Sequence, residues 1–156
     1  ALLWKFRCRY VHSNKSRVER LISHISLYPC LYIPAEHLVT VLKPGQDITE
    51  RVTDGHSMVV RSNDMSTRVR LTLSRNSDSS TASKYPFVIR IVNLSIMDRE
   101  GPFPVELVHG DPHEYLWIDP SEYIEHLTGP EHEFAIRQKH HDPQFVVSFR
   151  MPNGEL

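Results

Sequence analysis

The sequence predicts an α+β domain that is mostly β, with a single antiparallel or mixed sheet of about six strands and two short helices packed on one face. Three observations lead to this prediction. Several segments alternate apolar and polar residues with the period of two that a half-buried strand requires. Two segments combine a helix start signal with apolar residues at helical spacing. The length of 156 residues suits one hydrophobic core, so we expect a single globular domain over residues 1–156.

The strand predictions follow from the alternation. Residues 2–11 alternate large apolar side chains with Lys5, Arg7 and Arg9, so one face of this strand is apolar and the other is basic. Residues 85–97 are apolar on both alternating faces, which is typical of a central strand. Further strands are expected at residues 57–61, 67–73, 103–108, 115–118 and 144–151.

The two helices are predicted from start signals and spacing. In residues 17–27 the apolar positions follow the i, i+3, i+4, i+7 pattern, and Ser16 with Glu19 matches a capping box. Residues 119–127 begin with Asp-Pro-Ser-Glu, in which Asp is a favourable N-cap and Pro a favourable first helical residue. Because two short helices cannot cover both faces of a parallel sheet, these elements favour an antiparallel one.

Three segments have less regular patterns. Residues 30–42 are compatible with a short helix that begins at Pro34 or with a strand over residues 38–42. Residues 134–138 give no clear pattern. Residues 75–84 are rich in Ser and lack large hydrophobic side chains, so they predict a mobile loop.

The cysteines and the apolar runs indicate a compartment. Cys8 and Cys30 are too few for a disulfide scaffold, and Cys8 falls on an apolar strand face, which favours a buried thiol over a Cys8–Cys30 bridge. No apolar run approaches the ~18 residues that span a bilayer, so we expect no transmembrane helix. The start at Ala1 lacks a charged-then-apolar leader, so we expect any targeting segment to be absent or already removed. These features favour a reducing compartment, either cytoplasmic or peripheral to a membrane.

The net charge of −1 conceals an asymmetry along the chain. Residues 1–75 contain 12 Lys and Arg against 6 Asp and Glu, whereas residues 76–156 contain 6 against 13. Residues 98–133 alone contain ten acidic residues and one basic residue. Such asymmetry predicts a basic face for an anionic partner or charge-led association between copies of the chain, unless the two halves neutralise each other within one fold.

The basic residues give the first candidate binding site. Arginine supplies 13 of the 18 cations, and its planar fork suits carboxylates and phosphates. If the strands at 2–11 and 67–73 lie in one sheet, their outer faces would form one positive surface for RNA, an anionic membrane or the acidic half of another copy. Because the aromatic residues of the first strand fall on the opposite face, a stacking platform for single-stranded nucleic acid is not expected. The predicted anion-binding residues are Lys5, Arg7, Arg9, Lys15, Arg17, Arg20, Arg68 and Arg70.

Histidine gives a second candidate site. Six of the ten histidines fall between residues 109 and 141, and His109, His113, His140 and His141 are the candidate metal ligands. Neither a His-Glu-x-x-His nor a Cys-x-x-Cys motif is present, so exposed, scattered histidines are the alternative, and we expect neither a cofactor nor a metal. Clustered histidines could also act as a pH switch, because their protonation beside the acidic residues would reduce repulsion. The sequence contains no Gly-x-Ser-x-Gly elbow and no Gly-rich phosphate loop.

An aromatic and acidic segment gives a candidate protein interface. Tyr115 and Trp117 precede an acidic turn and are followed by Glu122 and Glu125. Aromatic anchors of this kind are frequent in interface hot spots, although a place in the hydrophobic core is the alternative for the aromatic residues of this segment.

The opening pattern of the chain is similar to that of matrix proteins of enveloped negative-strand RNA viruses. The similarity covers about a quarter of the chain: a basic-faced strand at residues 2–11, a Ser-capped helix at 17–27 and then an apolar segment. It implies a viral structural protein that self-associates and contacts membrane and nucleoprotein. Together with the charge asymmetry, this leads us to expect a non-enzymatic structural or interaction domain, with an anion-binding module and a His-dependent metalloenzyme as alternatives.

Overall fold

A computed structural model of the chain describes residues 2–8, 18–25, 35–40, 45–62, 68–94, 105–109, 115–138 and 146–153. These residues form strands and turns, and no helix occurs among them. The strands are β1 (Leu2–Cys8), β2 (Val18–Ile25), β3 (Ala35–Thr40), β4 (Asp47–Val52), β5 (His56–Ser62), β6 (Arg68–Arg75), β7 (Phe87–Asn93), β8 (Val105–His109), β9 (Tyr115–Ile118), β10 (Tyr123–Thr128), β11 (Glu133–Gln138) and β12 (Val146–Arg150).

The strands form two antiparallel sheets. The first sheet has the order β4-β1-β12-β11-β8-β9. The second sheet is built around β10-β7-β6-β5 and continues through β2 to β3. The prediction of an α+β domain with one sheet and two helices is therefore wrong, because the described part of the chain is all-β and contains two sheets.

The two sheets pack face to face over one core. Alternate residues of the strands point inward, and the buried residues of both sheets belong to one hydrophobic cluster. Trp4, Phe6 and Phe149 of the first sheet form an aromatic centre, in which the Trp4 and Phe6 ring centroids are 4.8 Å apart. The second sheet contributes Phe87 and Ile89. Burying each such side chain stabilises the fold by about 1.5–3 kcal/mol relative to its exposure.

The predicted helix at residues 17–27 is replaced by β2. The ladder between β2 and β5 shifts register between Val18 and Arg20, and the ladder between β2 and β3 shifts between Leu21 and Ile22. A register shift interrupts the period of two, so the apolar residues of a strand fall at spacings that imitate a helix. The helix that formed part of the similarity to viral matrix proteins is therefore replaced by a strand.

The predicted helix at residues 119–127 is replaced by a turn and β10. The Glu122 N–H donates to the Asp119 carbonyl at 3.0 Å, and Ser121 has a φ of 69°, which no right-handed helix accepts. Residues 123–128 then pair with β7 along their whole length. The Asp-Pro-Ser-Glu sequence thus begins a turn between strands.

Several predictions for the strands are confirmed. β1, β5, β6, β7, β8, β9 and β12 each overlap a segment predicted from alternation. Residues 35–40 form a strand, which overlaps the strand alternative at 38–42 in residues 38–40. Residues 76–84 form a turn in which the Asn76 side chain donates to Thr81 and to the Tyr85 carbonyl. Among the residues described, no helix has the length and hydrophobicity that crossing a bilayer requires.

Candidate anion-binding face

The predicted basic residues are divided between the two sheets. Lys5 and Arg7 lie on the outer face of β1 in the first sheet, whereas Arg68 and Arg70 lie on the outer face of β6 in the second. The single positive surface expected from the sequence is therefore not formed, because β1 and β6 belong to opposite sheets. Arg20 has a place in β2, and the remaining predicted cations, Arg9, Lys15 and Arg17, lie outside the described residues.

Cations on the outer face of the first sheet are paired with acids of the same chain. Lys5 Nζ and Arg7 Nη2 each lie 3.1 Å from Asp47 Oδ2 on the neighbouring strand β4. The hydrogen bonds from Arg7 and then from Lys5 lower the pKa of Asp47. Arg150 Nη2 lies 3.5 Å from Glu133 Oε2 across β12 and β11. This face thus mixes both signs of charge, and its named cations already have acidic partners within the chain.

Arginines occupy opposed register positions on three neighbouring strands of the second sheet. Arg68 on β6 pairs in register with Arg61 on β5, and Arg61 pairs with Arg20 on β2, so three arginines occupy one row across three strands. Arg70 follows on the same face of β6. We call Arg20, Arg61, Arg68 and Arg70 the arginine row.

Two arginines of this row are partly shielded from water. Burial, and then the neighbouring charge of Arg70, lowers the pKa of Arg68. The Nε atom of Arg70 is buried without a hydrogen-bond acceptor, and within the described part of the chain no carboxylate forms an ion pair with Arg70. A shielded donor without an acceptor costs about 1–3 kcal/mol.

The candidate interface residues lie at one edge of the sandwich. Trp117 on β9 is 38% exposed and its Nε1 donates to Asp119 Oδ1 at 2.6 Å, while Glu122 and Glu125 are both exposed. The backbone of Tyr115 opens β9, but its side chain is not among those described. The aromatic stripe of a buried helix, the alternative for this segment, does not form, since Tyr123 is 56% exposed.

The structure describes only one of the four candidate metal ligands, His109, and joins it to two other histidines. The His109 ring centroid lies 5.2 Å from that of His132 and 6.0 Å from that of His126. His113, His140 and His141 lie outside the described residues. Within the part of the chain that is described, no group of His, Cys, Asp or Glu has the arrangement of a metal site.

The histidine cluster differs from the expected pH switch in its surroundings. Burial, and then the proximity of His109 and His132, lowers the pKa of His126. Protonation of His126 is thus opposed by neighbouring histidines rather than favoured by acids. The sequence did not predict that His126 and His132 lie beside His109. The three residues belong to different elements, and their contact depends on how the two sheets pack.

Comparison of the chain with models of known protein families, with curated proteins and with solved structures finds no match.

Proposed function

We propose that this β-sandwich is a non-enzymatic docking domain that binds an acidic protein surface through the arginine row of the second sheet. The strongest support is Arg70, a shielded guanidinium beside Arg68 with no anionic partner in the described residues. A guanidinium in this position destabilises the isolated domain. An ion pair with a carboxylate of a partner would offset that destabilisation. The compensated face of the first sheet lacks this feature.

An acidic protein fits the arginine row better than a nucleic acid does. Phosphate-led binding commonly uses about 6–10 cationic contacts, more than the row supplies. A bidentate arginine–carboxylate pair, in contrast, gives affinity and orientation with few residues. Val92, a half-buried neighbour of Arg70 on this face, is apolar, as expected in a protein interface and not in a channel for a phosphate backbone. Val59, the neighbour of Arg70 on β5, is fully buried within the chain.

The matched pair Arg70→Gln and Arg7→Gln tests this proposal. Both changes remove one guanidinium from a sheet face, but Arg7 already pairs with Asp47. Binding of a synthetic glutamate-rich peptide, measured by calorimetry, should weaken about tenfold in Arg70→Gln and little in Arg7→Gln. A wild-type domain that does not bind the peptide, or equal losses in the two variants, would refute the proposal. Binding only to an RNA oligonucleotide or to phosphatidylserine vesicles would also refute it.

A further inference from the structure

A second surface on the outer face of the second sheet is self-complementary. It consists of three outward residues of β7 and three of β10, and we call it the β7–β10 patch: Val88, Arg90, Val92, Tyr123, Glu125 and Leu127. The β10 strand is the edge of its sheet, so the patch is bordered by solvent on one side. We propose that this patch binds a second copy of the chain and forms a two-fold dimer.

The patch is apolar except at its centre. Tyr123 is 56% exposed and Leu127 is 41% exposed, and these two large hydrophobic residues lie on either side of Glu125 on the outward face of β10. Across the ladder Tyr123 pairs with Val92, and Leu127 pairs with Val88, so each end of the patch is an apolar row. Removing these rows from water would favour association.

The centre of the patch has one charge of each sign. Arg90 and Glu125 are opposite each other in the ladder. Arg90 Cζ nevertheless lies over the Tyr123 ring, 4.1 Å from its centroid, and within the described residues neither Arg90 nor Glu125 forms an ion pair. The two charges are therefore both available to a partner.

With a two-fold axis parallel to the strands and midway between β7 and β10, all three rows of the patch face complementary rows of the second copy. Such an axis places each residue of one strand over the residue of the other strand that shares its row. Arg90 of each copy would then face Glu125 of the other, and the apolar rows would face each other at the usual ~10 Å spacing of packed sheets. Charge complementarity thus favours a second copy over an unrelated partner.

The experiment mixes two charge-reversed variants, Arg90→Glu and Glu125→Arg, in sedimentation velocity over a concentration series. Each variant alone would place like charges opposite each other across the interface, and we expect its dimerisation to weaken about tenfold or more. An equimolar mixture would pair an acidic patch with a basic one and restore the dimer. The mixture does not relieve the repulsion within either chain, so restored association reports contact between copies. The control is Arg51→Glu, since Arg51 is exposed on the edge strand β4 of the first sheet.

Three results would overturn the proposal: a wild-type chain that stays monomeric throughout the series, a mixture that stays monomeric, or an equal loss in Arg51→Glu. Thermal unfolding of each variant at low concentration establishes that it folds. If a charge reversal prevents folding, Leu127→Asn replaces it and should also weaken the dimer. None of these variants alters the arginine row, so this test and that of the acidic partner can fail independently.

Discussion

At the scale of single residues, Trp4 combines favourable packing with an unfavourable polar atom. Its ring is fully buried against Phe6 and Phe149, which makes it one of the largest contributors to the core. Its Nε1–H is also buried and has no acceptor within the described residues. A buried donor of this kind costs about 1–3 kcal/mol, so part of the gain from burying the ring is offset.

We predict that Trp4→Phe is far less destabilising than Trp4→Ala. Phenylalanine keeps most of the ring contacts and removes the unsatisfied N–H, so its free energy of unfolding should stay within about 1 kcal/mol of the wild type. Alanine leaves a cavity and should cost about 3–5 kcal/mol. Urea unfolding of the three proteins measures both differences. Similar losses in the two variants would show that the indole N–H has an acceptor.

The residue pattern predicted which side chains face outward but not where those faces lie. Arg68 and Arg70 alternate with Val69 and Leu71, so their outward position follows from the period of two. The pairing of Arg68 with Arg61 depends on the antiparallel ladder between β5 and β6, and local periodicity does not specify it. For the same reason the sequence did not specify whether β1 and β6 share a sheet, and the positive surface that depended on this condition does not form.

At the scale of elements, strands were predicted where their apolar pattern is clear. They were missed where that pattern is weak or interrupted, or where a helix start signal competes with it. β6 alternates apolar and polar residues without interruption, and β7 is an apolar run typical of a central strand. β4 is an edge strand whose inward residues Ile48 and Val52 are separated by Glu50, so its apolar alternation is too weak to recognise. β2 has register shifts, and β10 follows a turn whose residues also favour a helix N-terminus. In both, pairing with neighbouring strands outweighs local propensity.

The contact between β8, β10 and the turn before β11 predicts a dependence of stability on pH. His109, His126 and His132 come from these three elements, and the pKa of His126 is lowered from its ordinary value of 6.5. The folded state therefore binds fewer protons than the unfolded state once the pH falls below that value. Above about pH 7 this histidine should not reduce the free energy of unfolding. The free energy of unfolding should decrease as the pH falls through 6.5 and the lower folded pKa. His56 contributes in the same direction, since burial lowers its pKa as well.

Replacement of His126 separates these contributions. In His126→Gln, the decrease in the free energy of urea unfolding between pH 7.5 and pH 5.5 should be smaller than in the wild type. His56→Gln is the matched variant on β5, away from the cluster, and should remove only its own part of the decrease. An unchanged pH dependence in His126→Gln would contradict the assignment.

At the scale of the whole molecule, the fold interleaves the basic and acidic halves of the chain. The first sheet joins β1 and β4 from the basic half to β8, β9, β11 and β12 from the acidic half. Lys5 and Arg7 consequently lie on the same face as Glu133 and Arg150, and the large asymmetry along the sequence is much reduced in space. Both proposed surfaces lie on the second sheet.

The shared core predicts that the two sheets unfold together. Inward residues of both sheets form one cluster, so neither sheet can keep its apolar face covered after the other is lost. In a Trp117→Phe background, Trp4 of the first sheet is the only tryptophan left among the chain's two. A cavity made in the second sheet by Ile89→Ala should then lower the urea midpoint reported by Trp4 fluorescence and the midpoint of far-UV circular dichroism by the same amount. Separate midpoints, or an unchanged Trp4 transition, would mean that the sheets are independent units and that the common core does not bind them into one cooperative structure.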